Sequence, residues 1–493
     1  MLRIKRFYII ITTYIYLALP VLIFLLGWIR LPYAILAVTA LLVGIIYSLK
    51  HEYMNNRNAY IYIHWKWLVF IAVFLFVFAI ISGVGGFYYQ SRDFNWRNAI
   101  FNDLIKFEWP VIYNKTNTAL VYYFAYWLPA ALIGKLFGRT AADIALLNYT
   151  FIGLLIVFFL MYMLLKINKF SQILILMSVF LLFSGLDVLG AQFAEILLGT
   201  PYYFIPNHLE WWTWSREYSS NMTQLMWVFN QSLMSWITIA LLLLQKKPNN
   251  FAVIGILLLA SGPIPFIGFF PYAVVLAIKY VIKNKKSLPM SKIIKNIMSL
   301  QNVLFGVIVF PIVYFFLTSN TIVQEKGFQL VSLQFNAIYI FFFVMFIVLE
   351  VLVYLIPLLL CNKKDVILIL TGVLLCIIPF FKLGADEDFI MKASVPALFI
   401  LMIYLVKFFI GKKDLNKKNR VIELILIIAF TIGTLTPIVE QTRALKEIVS
   451  AKNITRVQDN IVTFSDMDEE DGNNNFLSRN YFQNIFFEYF IKD

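Results

Sequence analysis

Runs of about eighteen or more apolar residues recur along almost the whole chain, and nothing else limits its fold so tightly. Runs of that length read as membrane-spanning helices. The residue balance agrees: of 493 residues 61% are hydrophobic and only 14% charged, with a mean hydropathy of +0.79. A soluble domain carries roughly 25% charged residues. The fold class is therefore an all-α polytopic membrane protein. About thirteen spans are expected, over 7–29, 31–49, 67–84, 144–165, 171–186, 231–245, 251–262, 266–283, 299–317, 335–361, 365–381, 393–411 and 421–438.

The formal charge of +14 does not imply a nucleic-acid partner, because the lysines sit in short loops between apolar runs. Lys and Arg gather on the cytoplasmic side of membrane proteins. On the expected topology 24 of the 41 basic residues fall there, whereas 22 of the 27 acidic residues fall outside. This places the protein in a cell membrane as a multi-pass chain, with membrane lipid around it. The N-terminus is cytoplasmic and the C-terminus extracytoplasmic. The start, Arg3-Ile4-Lys5-Arg6 and an apolar run, resembles a signal peptide, but its core is too long and lacks a small-residue cleavage site. It reads as an uncleaved first span. Ala119–Phe137 is apolar enough to span. Counting it as a span would put Lys166, Lys169, Lys246 and Lys247 outside, so it is expected to lie flat on the outer surface. Ser261-Gly262-Pro263-Ile264-Pro265 breaks the run 251–283 into a hairpin. The chain then divides into a transmembrane domain, 1–438, with outer loops 85–143 and 187–230, and an extracytoplasmic tail, 439–493. The aromatic end of that tail is expected to fold back, and its acidic run Asp466–Asp471 reads as a solvated turn. Two cysteines, Cys361 and Cys376, support neither a disulfide framework nor a metal site.

Chemistry is concentrated in the first half of loop 85–143. With about 100° per residue, Trp96, Ile100, Leu104 and Phe107 share one helix face, and Asn95, Asn98, Asn102 and Lys106 the other. Asp93 and Asp103 fall on the apolar side, where a carboxylate is costly unless paired or functional. The structural alternative makes Asp93 a helix cap and pairs Asp103 with Arg97 or Lys106. The second loop carries His208, Glu210, Arg216 and a tryptophan cluster, Trp211, Trp212 and Trp214. Those rings read as an interfacial belt or as a stacking platform for sugar rings. His208 and Glu210 form an H-x-E without the following cysteine pair of zinc deaminases. No cofactor is expected; a divalent metal held by His208 with carboxylates is the one alternative. Asp388 and Lys392 flank the start of a later span, where Lys392 snorkels or binds phosphate. Glu350 lies mid-span, and an intramembrane acid is a functional candidate that also suits a bond to a neighbouring helix. No P-loop, Rossmann glycine pattern, HExxH or GxSxG is present.

In its layout the chain resembles the GT-C superfamily of integral-membrane glycosyltransferases, in the branch that uses lipid-linked sugars. The resemblance rests on Asp93 early in the first long outer loop, then Trp109-Pro110, the aromatic stretch Leu120–Trp127 and Leu136-Phe137-Gly138. It extends to uncharacterised bacterial members through Asn98-Ala99-Ile100, Trp109–Tyr113, Glu210-Trp211-Trp212 and Asp388–Ser394. Two features depart from the family: two spans precede the one leading into this loop, and Asp93 is followed by Phe94 where many members have a second acid. The resemblance implies a GT-C-like bundle with interfacial helices in its outer loop. It implies transfer of a sugar from a polyprenyl-phosphate donor to a glycan, lipid or protein acceptor on the outer face. In that scheme Asp93 is the general base of an inverting attack, with Asp103 the second catalytic candidate. Arg97, Arg216 and Lys392 would hold the phosphate, and Asn98, Asn102, His208, Glu210 and Asp388 complete the substrate-binding set. The alternatives are a lipid-linked saccharide flippase or transporter, or a polysaccharide polymerase or ligase.

Overall fold

The computed structural model describes residues 1–199, 208–213, 216–320, 328–330, 337–383, 388–411, 417–451, 463–464 and 476–492. The acidic run Asp466–Asp471 and Trp214 lie outside the described residues. All thirteen expected segments fall on helices. Ten helices among the described residues are long and apolar enough to cross a membrane. Three of the expected spans, now Trp65–Ile81, Pro248–Leu259 and Val366–Phe380, are helical but shorter. The predicted hairpin is present as Phe251–Leu259 and Pro263–Asn284, with the turn at the Gly-Pro step.

The chain folds as two compact units. The first takes in Met1–Leu164, Leu233–Gln324 and Arg456–Asp493. Helices Arg6–Trp28 and Leu31–Asn56 form its opening hairpin, with Pro32 at the second helix's start, where its missing N–H costs nothing. Strand Leu2–Lys5 pairs antiparallel with Tyr60–Ile63, Leu2 opposite Ile63. Helix Trp65–Ile81 ends in Gly83, Gly85 and Gly86, all at positive φ. A Cβ on Gly83 would lie 2.2 Å from the Tyr89 carbonyl oxygen, and one on Gly85 2.7 Å from that of Asp143. Only glycine combines that backbone with such close approach. The chain is thereby turned into helix Phe94–Lys106.

Two expectations for this loop are corrected. Ala119–Phe137 is not one surface helix. Thr118–Leu120 is a strand, Phe124–Trp127 a 3-10 turn, and only Leu128–Phe137 is α-helical, started by Pro129. Phe124, Tyr126 and Trp127 are buried and the Tyr126 hydroxyl meets that of Thr150 at 2.9 Å. The aromatics of this segment, expected at the outer surface, form core. Second, the two faces of Phe94–Lys106 do not separate by burial: Asn98 and Asn102 are buried along with Ile100 and Leu104, while Asn95 and Lys106 are exposed.

The tail packs on this loop. Leu477–Arg479 extends the pair Ile112–Tyr113 and Thr118–Leu120 into a three-stranded antiparallel sheet, with Thr118 opposite Arg479. Asp103 fastens the same junction. Its Oδ2 accepts from the Tyr113 hydroxyl at 2.7 Å and from the Phe464 N–H at 2.8 Å. Further on, the Arg30 N–H donates to the Phe490 carbonyl and the Lys492 N–H to that of Trp28, while Phe486 packs against Phe24 and Phe316.

The second unit takes in Leu165–Ser232 and Glu325–Thr455. Helix Phe170–Leu182 stops, and Asp187–Leu198 resumes after four residues. Across the break the Leu186 N–H donates to the Leu349 carbonyl, and the Tyr354 hydroxyl donates to the Ser184 carbonyl. Leu349 belongs to a π-helical turn, Val348–Leu352, within the span Ala337–Cys361. The sequence-expected loop 187–230 is consequently shorter than thought, since Asp187–Leu198 and Asn221–Ser232 are helical. Strands Phe328–Leu330 and Phe381–Leu383 pair antiparallel.

Because Asp103 joins two otherwise separate strands of chain, Asp103→Ala leaves two buried donors unpaired. It is expected to cost roughly 1.5–3 kcal/mol, the range for hydrogen bonds to a charged group, read as a lower thermal midpoint in detergent. The exposed Lys106→Ala serves as the unchanged control.

Candidate functional site

In the first unit the polar cluster is built at the start of helix Phe94–Lys106. Asp93 holds the N-cap position, yet its side chain makes no capping hydrogen bond. Its Oδ2 instead accepts from Arg97 Nη2 at 2.9 Å, one turn on, and its side chain remains 34% exposed. The capping role anticipated as the structural alternative is not what the carboxylate does. Arg97 is 91% buried by the same measure, lies over the Phe94 ring, and its Nη1 has no hydrogen-bond partner. The Ser91 hydroxyl and the Trp96 indole N–H are also buried without a partner. Seven residues thus carry one open carboxylate and three buried donor groups without a partner among the described residues. Buried polar groups are normally paired, so such a concentration is a pointer to a ligand.

Around this cluster stand residues that the sequence did not single out. The Asn98 amide donates to Gln90 Oε1 at 2.9 Å, and Arg139 donates to the Asn98 carbonyl and side-chain oxygens. Arg139 also pairs with buried Asp143 at 2.9 Å and lies over Phe101. The only sequence signal for this pair is its i, i+4 spacing directly after Gly138. Asn98 is thus a scaffold residue of the cluster, and Asn102 is buried beside it in the same helix. Asp103, expected as a second catalytic carboxylate, is fully buried and committed to Tyr113 and Phe464. Nor does it pair with Arg97 or Lys106 by the anticipated ion pair. Burial, and then the Asp103 carboxylate, push the Tyr113 hydroxyl well above the ordinary phenol range, so it stays a donor.

The second unit holds its polar groups deeper. His208 and Glu210 diverge. His208 Nε2 lies 3.6 Å from Glu440 Oε2 and its ring stacks on Trp211. Glu440 is bridged to Arg443 and accepts from the Trp227 indole at 3.1 Å. Glu210 Oε1 accepts from the Ser220 N–H at 2.9 Å and the Thr223 hydroxyl at 2.8 Å, and its Oε2 is buried without a partner. Among the described residues no group of three His, Cys, Asp or Glu side chains could hold a metal ion. Burial first, then the charges of Glu217 and Asp187, hold the Glu210 carboxyl well above the usual carboxylate range.

Arg216 donates to the Tyr339 hydroxyl at 2.9 Å and is sandwiched by the Tyr339 and Phe343 rings. Lys392 is buried and hydrogen-bonded to Asp388, which is itself half exposed. Both cations therefore already have partners within their unit. Glu350, on the π turn, accepts from the Trp212 indole at 3.2 Å. Its carboxyl is within electrostatic reach of that of Asp187, which accepts from the Ser184 and Thr436 hydroxyls, each at 2.9 Å. Gly185 makes this packing feasible, because a Cβ there would stand 1.6 Å from Glu350 Oε2. Glu350 was legible as a mid-span acid; Asp187 was not, lying at the foot of an apolar run.

No family model, no curated protein and no solved structure matches this chain. The functional reading accordingly rests on these geometries and on the resemblance of short motifs.

Glu210 supplies a pH test. A carboxyl raised in the folded state contributes fully below its unfolded value, about 4.3. That contribution is lost as pH rises through the higher folded value. Wild-type thermal stability should therefore decline from about pH 4.5 upward, and Glu210→Gln, which keeps an oxygen for Ser220 and Thr223, should flatten that decline. Identical pH profiles for the two proteins would show that Glu210 carries no such linkage.

Proposed function

We propose that the protein is a membrane glycosyltransferase of GT-C type that moves a sugar from a polyprenyl phosphate to an acceptor hydroxyl, with Asp93 as the base. One observation carries the reading: an open carboxylate beside buried donors, on Ser91, Trp96 and Arg97, that have no partner among the described residues. In this scheme Asp93 takes the proton of the acceptor hydroxyl as that oxygen attacks the anomeric carbon. The bond from that carbon to the phosphate oxygen breaks, the configuration inverts, and polyprenyl phosphate leaves as an anion. A phosphate leaves without a protonating acid, so one carboxylate suffices. Arg97 has two tasks. Its Nη2 holds Asp93 Oδ2 and so fixes the orientation of the base, and its Nη1 is available to charge growing on the phosphate. A thirteen-span GT-C bundle, with this site on the outer face, is the architecture that goes with the proposal.

A second reading has its own support. Asp187 and Glu350 lie in spans, one at a helix break and the other on a π turn. Ionisable residues at interrupted spans mark ion-coupled carriers. Two buried carboxyls in so dry a place suit a bound proton or cation. On that reading the protein moves a lipid-linked saccharide across the bilayer.

Transfer from radiolabelled polyprenyl-phosphate hexoses, assayed in membranes, separates the two. A positioned base contributes roughly 10²–10⁴-fold, so Asp93→Asn should lose that much turnover with its thermal midpoint retained, whereas Glu350→Gln should keep most of it. Equal transfer by wild type and Asp93→Asn removes Asp93 as the base. Saccharide movement in proteoliposomes that follows a pH gradient and is lost in Glu350→Gln would favour the carrier.

A further inference from the structure

The first unit carries a second feature, independent of the cluster at Asp93. A cavity of about 470 Å³ opens along helix Pro263–Asn284, between Phe251–Leu259 and the segment Leu300–Thr318. Its walls are apolar, including Gly255, Phe266, Phe270, Ala277, Met298 and Gly306. It is open on one side, since Phe270, Met298 and Val307 are all more than half exposed. From Phe266 to Ala277 the groove runs for about 16 Å at 1.5 Å per residue, close to the ~15 Å depth of one leaflet's hydrocarbon.

One wall is shaped for an occupant. Phe305–Val309 is a π-helical turn, a form that recurs at functional positions. Phe305 packs against Gly44, where an added Cβ would lie 2.5 Å from its ring, while a Cβ on Gly306 would meet nothing within 4 Å. The turn thus sends its bulky residue into the protein and leaves a glycine facing the groove.

One end of the groove is strongly basic. Helix Pro263–Asn284 continues past Ala277 into Lys279 and Lys283, followed by Lys285 and Lys286. Helix Met290–Ile297 buries Ile293 and exposes Lys292 and Lys295. It delivers Ile297 and Met298 into the groove wall. All six lysines are exposed, and no acidic residue lies between 279 and 296. An apolar slot one leaflet deep with a lysine cluster at its mouth has the chemistry of a single amphiphile with an anionic head.

We propose that this groove binds an anionic glycerophospholipid, an acyl chain lying along Gly306 and the phosphate held by Lys292, Lys295 and their neighbours. The site differs from the one at Asp93 and does not depend on the transferase reading.

The test uses the full chain in nanodiscs of mixed phosphatidylglycerol and phosphatidylcholine, followed by detergent extraction and native mass spectrometry. Wild type should retain phosphatidylglycerol at least fivefold above its share of the bilayer. Gly306→Leu, whose Cβ has open space and whose side chain enters the groove, should lose the retained lipid. Ala277→Phe, which blocks the lysine end, is the second obstruction should the first variant misfold. Lys292→Gln with Lys295→Gln should retain lipid but lose the preference for the anionic head. Retention at the bulk ratio by wild type overturns the proposal, as does undiminished phosphatidylglycerol in folded Gly306→Leu or Ala277→Phe. When a polyprenyl phosphate is included in the disc, its retention in place of phosphatidylglycerol also overturns it and returns the groove to the donor lipid.

Discussion

A peptide group inside a bilayer has only the protein to bond with, and that constraint governs how this chain interrupts its helices. The break at Phe183–Leu186 frees carbonyls and N–H groups at membrane depth. The Tyr354 hydroxyl takes up the Ser184 carbonyl, and the Leu349 carbonyl takes the Leu186 N–H. A carbonyl is free to accept there because Val348–Leu352 is π-helical. The two irregularities complete each other. Once they meet, Gly185 must lack a side chain, and the Glu350 carboxyl settles directly on it beside Asp187. An acid is tolerated mid-span because indole and hydroxyl donors from Trp212, Ser184 and Thr436 surround the pair.

The first unit follows the same accounting at its buried acids. Glu52 accepts from Asn56 and Asn250, Asp143 from Arg139, and Asp103 from Tyr113 and a tail N–H. Each of these carboxylates is tied to a segment distant in sequence or to a fixed cation, and each explains a piece of architecture. The start of helix Phe94–Lys106 breaks the pattern. There, within seven residues, three buried donors lack acceptors and a carboxylate stays open. Donors left unsatisfied this close together, beside an open carboxylate, are what the proposed ligand site rests on.

Much of the architecture could be read from the residues alone, because apolar runs and proline-glycine interruptions act locally. Every expected span lies on a helix, and Ser261–Pro265 turns the chain as its prolines require. Readings that depended on which way a surface faces fared differently. Trp96 and Ile100 share the apolar face of their helix, and the asparagines lie on the other. Yet Asn98 and Asn102 are buried, because Gln90 and Arg139 arrive from elsewhere to bond Asn98. The aromatic stretch near Trp127 has the composition of an interfacial belt, but Thr150 supplies a partner that draws Tyr126 inward. The site was legible to the same degree. Asp93 and Arg97 stand one helical turn apart and do meet. Asp187, Arg139 and Glu440 owe their importance to partners far along the chain, which no window on the sequence contains.

Why Asp93 rather than a more buried acid should perform chemistry follows from access. A base must reach a hydroxyl that arrives from outside, and it must lose the proton afterwards. Asp103 is sealed at zero exposure behind the strand pairing of the tail. Glu210 is sealed from solvent, and its Oε1 is taken by Ser220 and Thr223. Asp187 and Glu350 are buried among the Ser184, Thr436 and Trp212 donors. Asp93 alone among these combines a fixed orientation, through Arg97, with a carboxylate one-third open. The same guanidinium that steadies the base keeps a second nitrogen unspent beside it. The proposed transfer, with a proton and a departing phosphate to handle at once, would need that pairing of opposite charges, each only half consumed by the other.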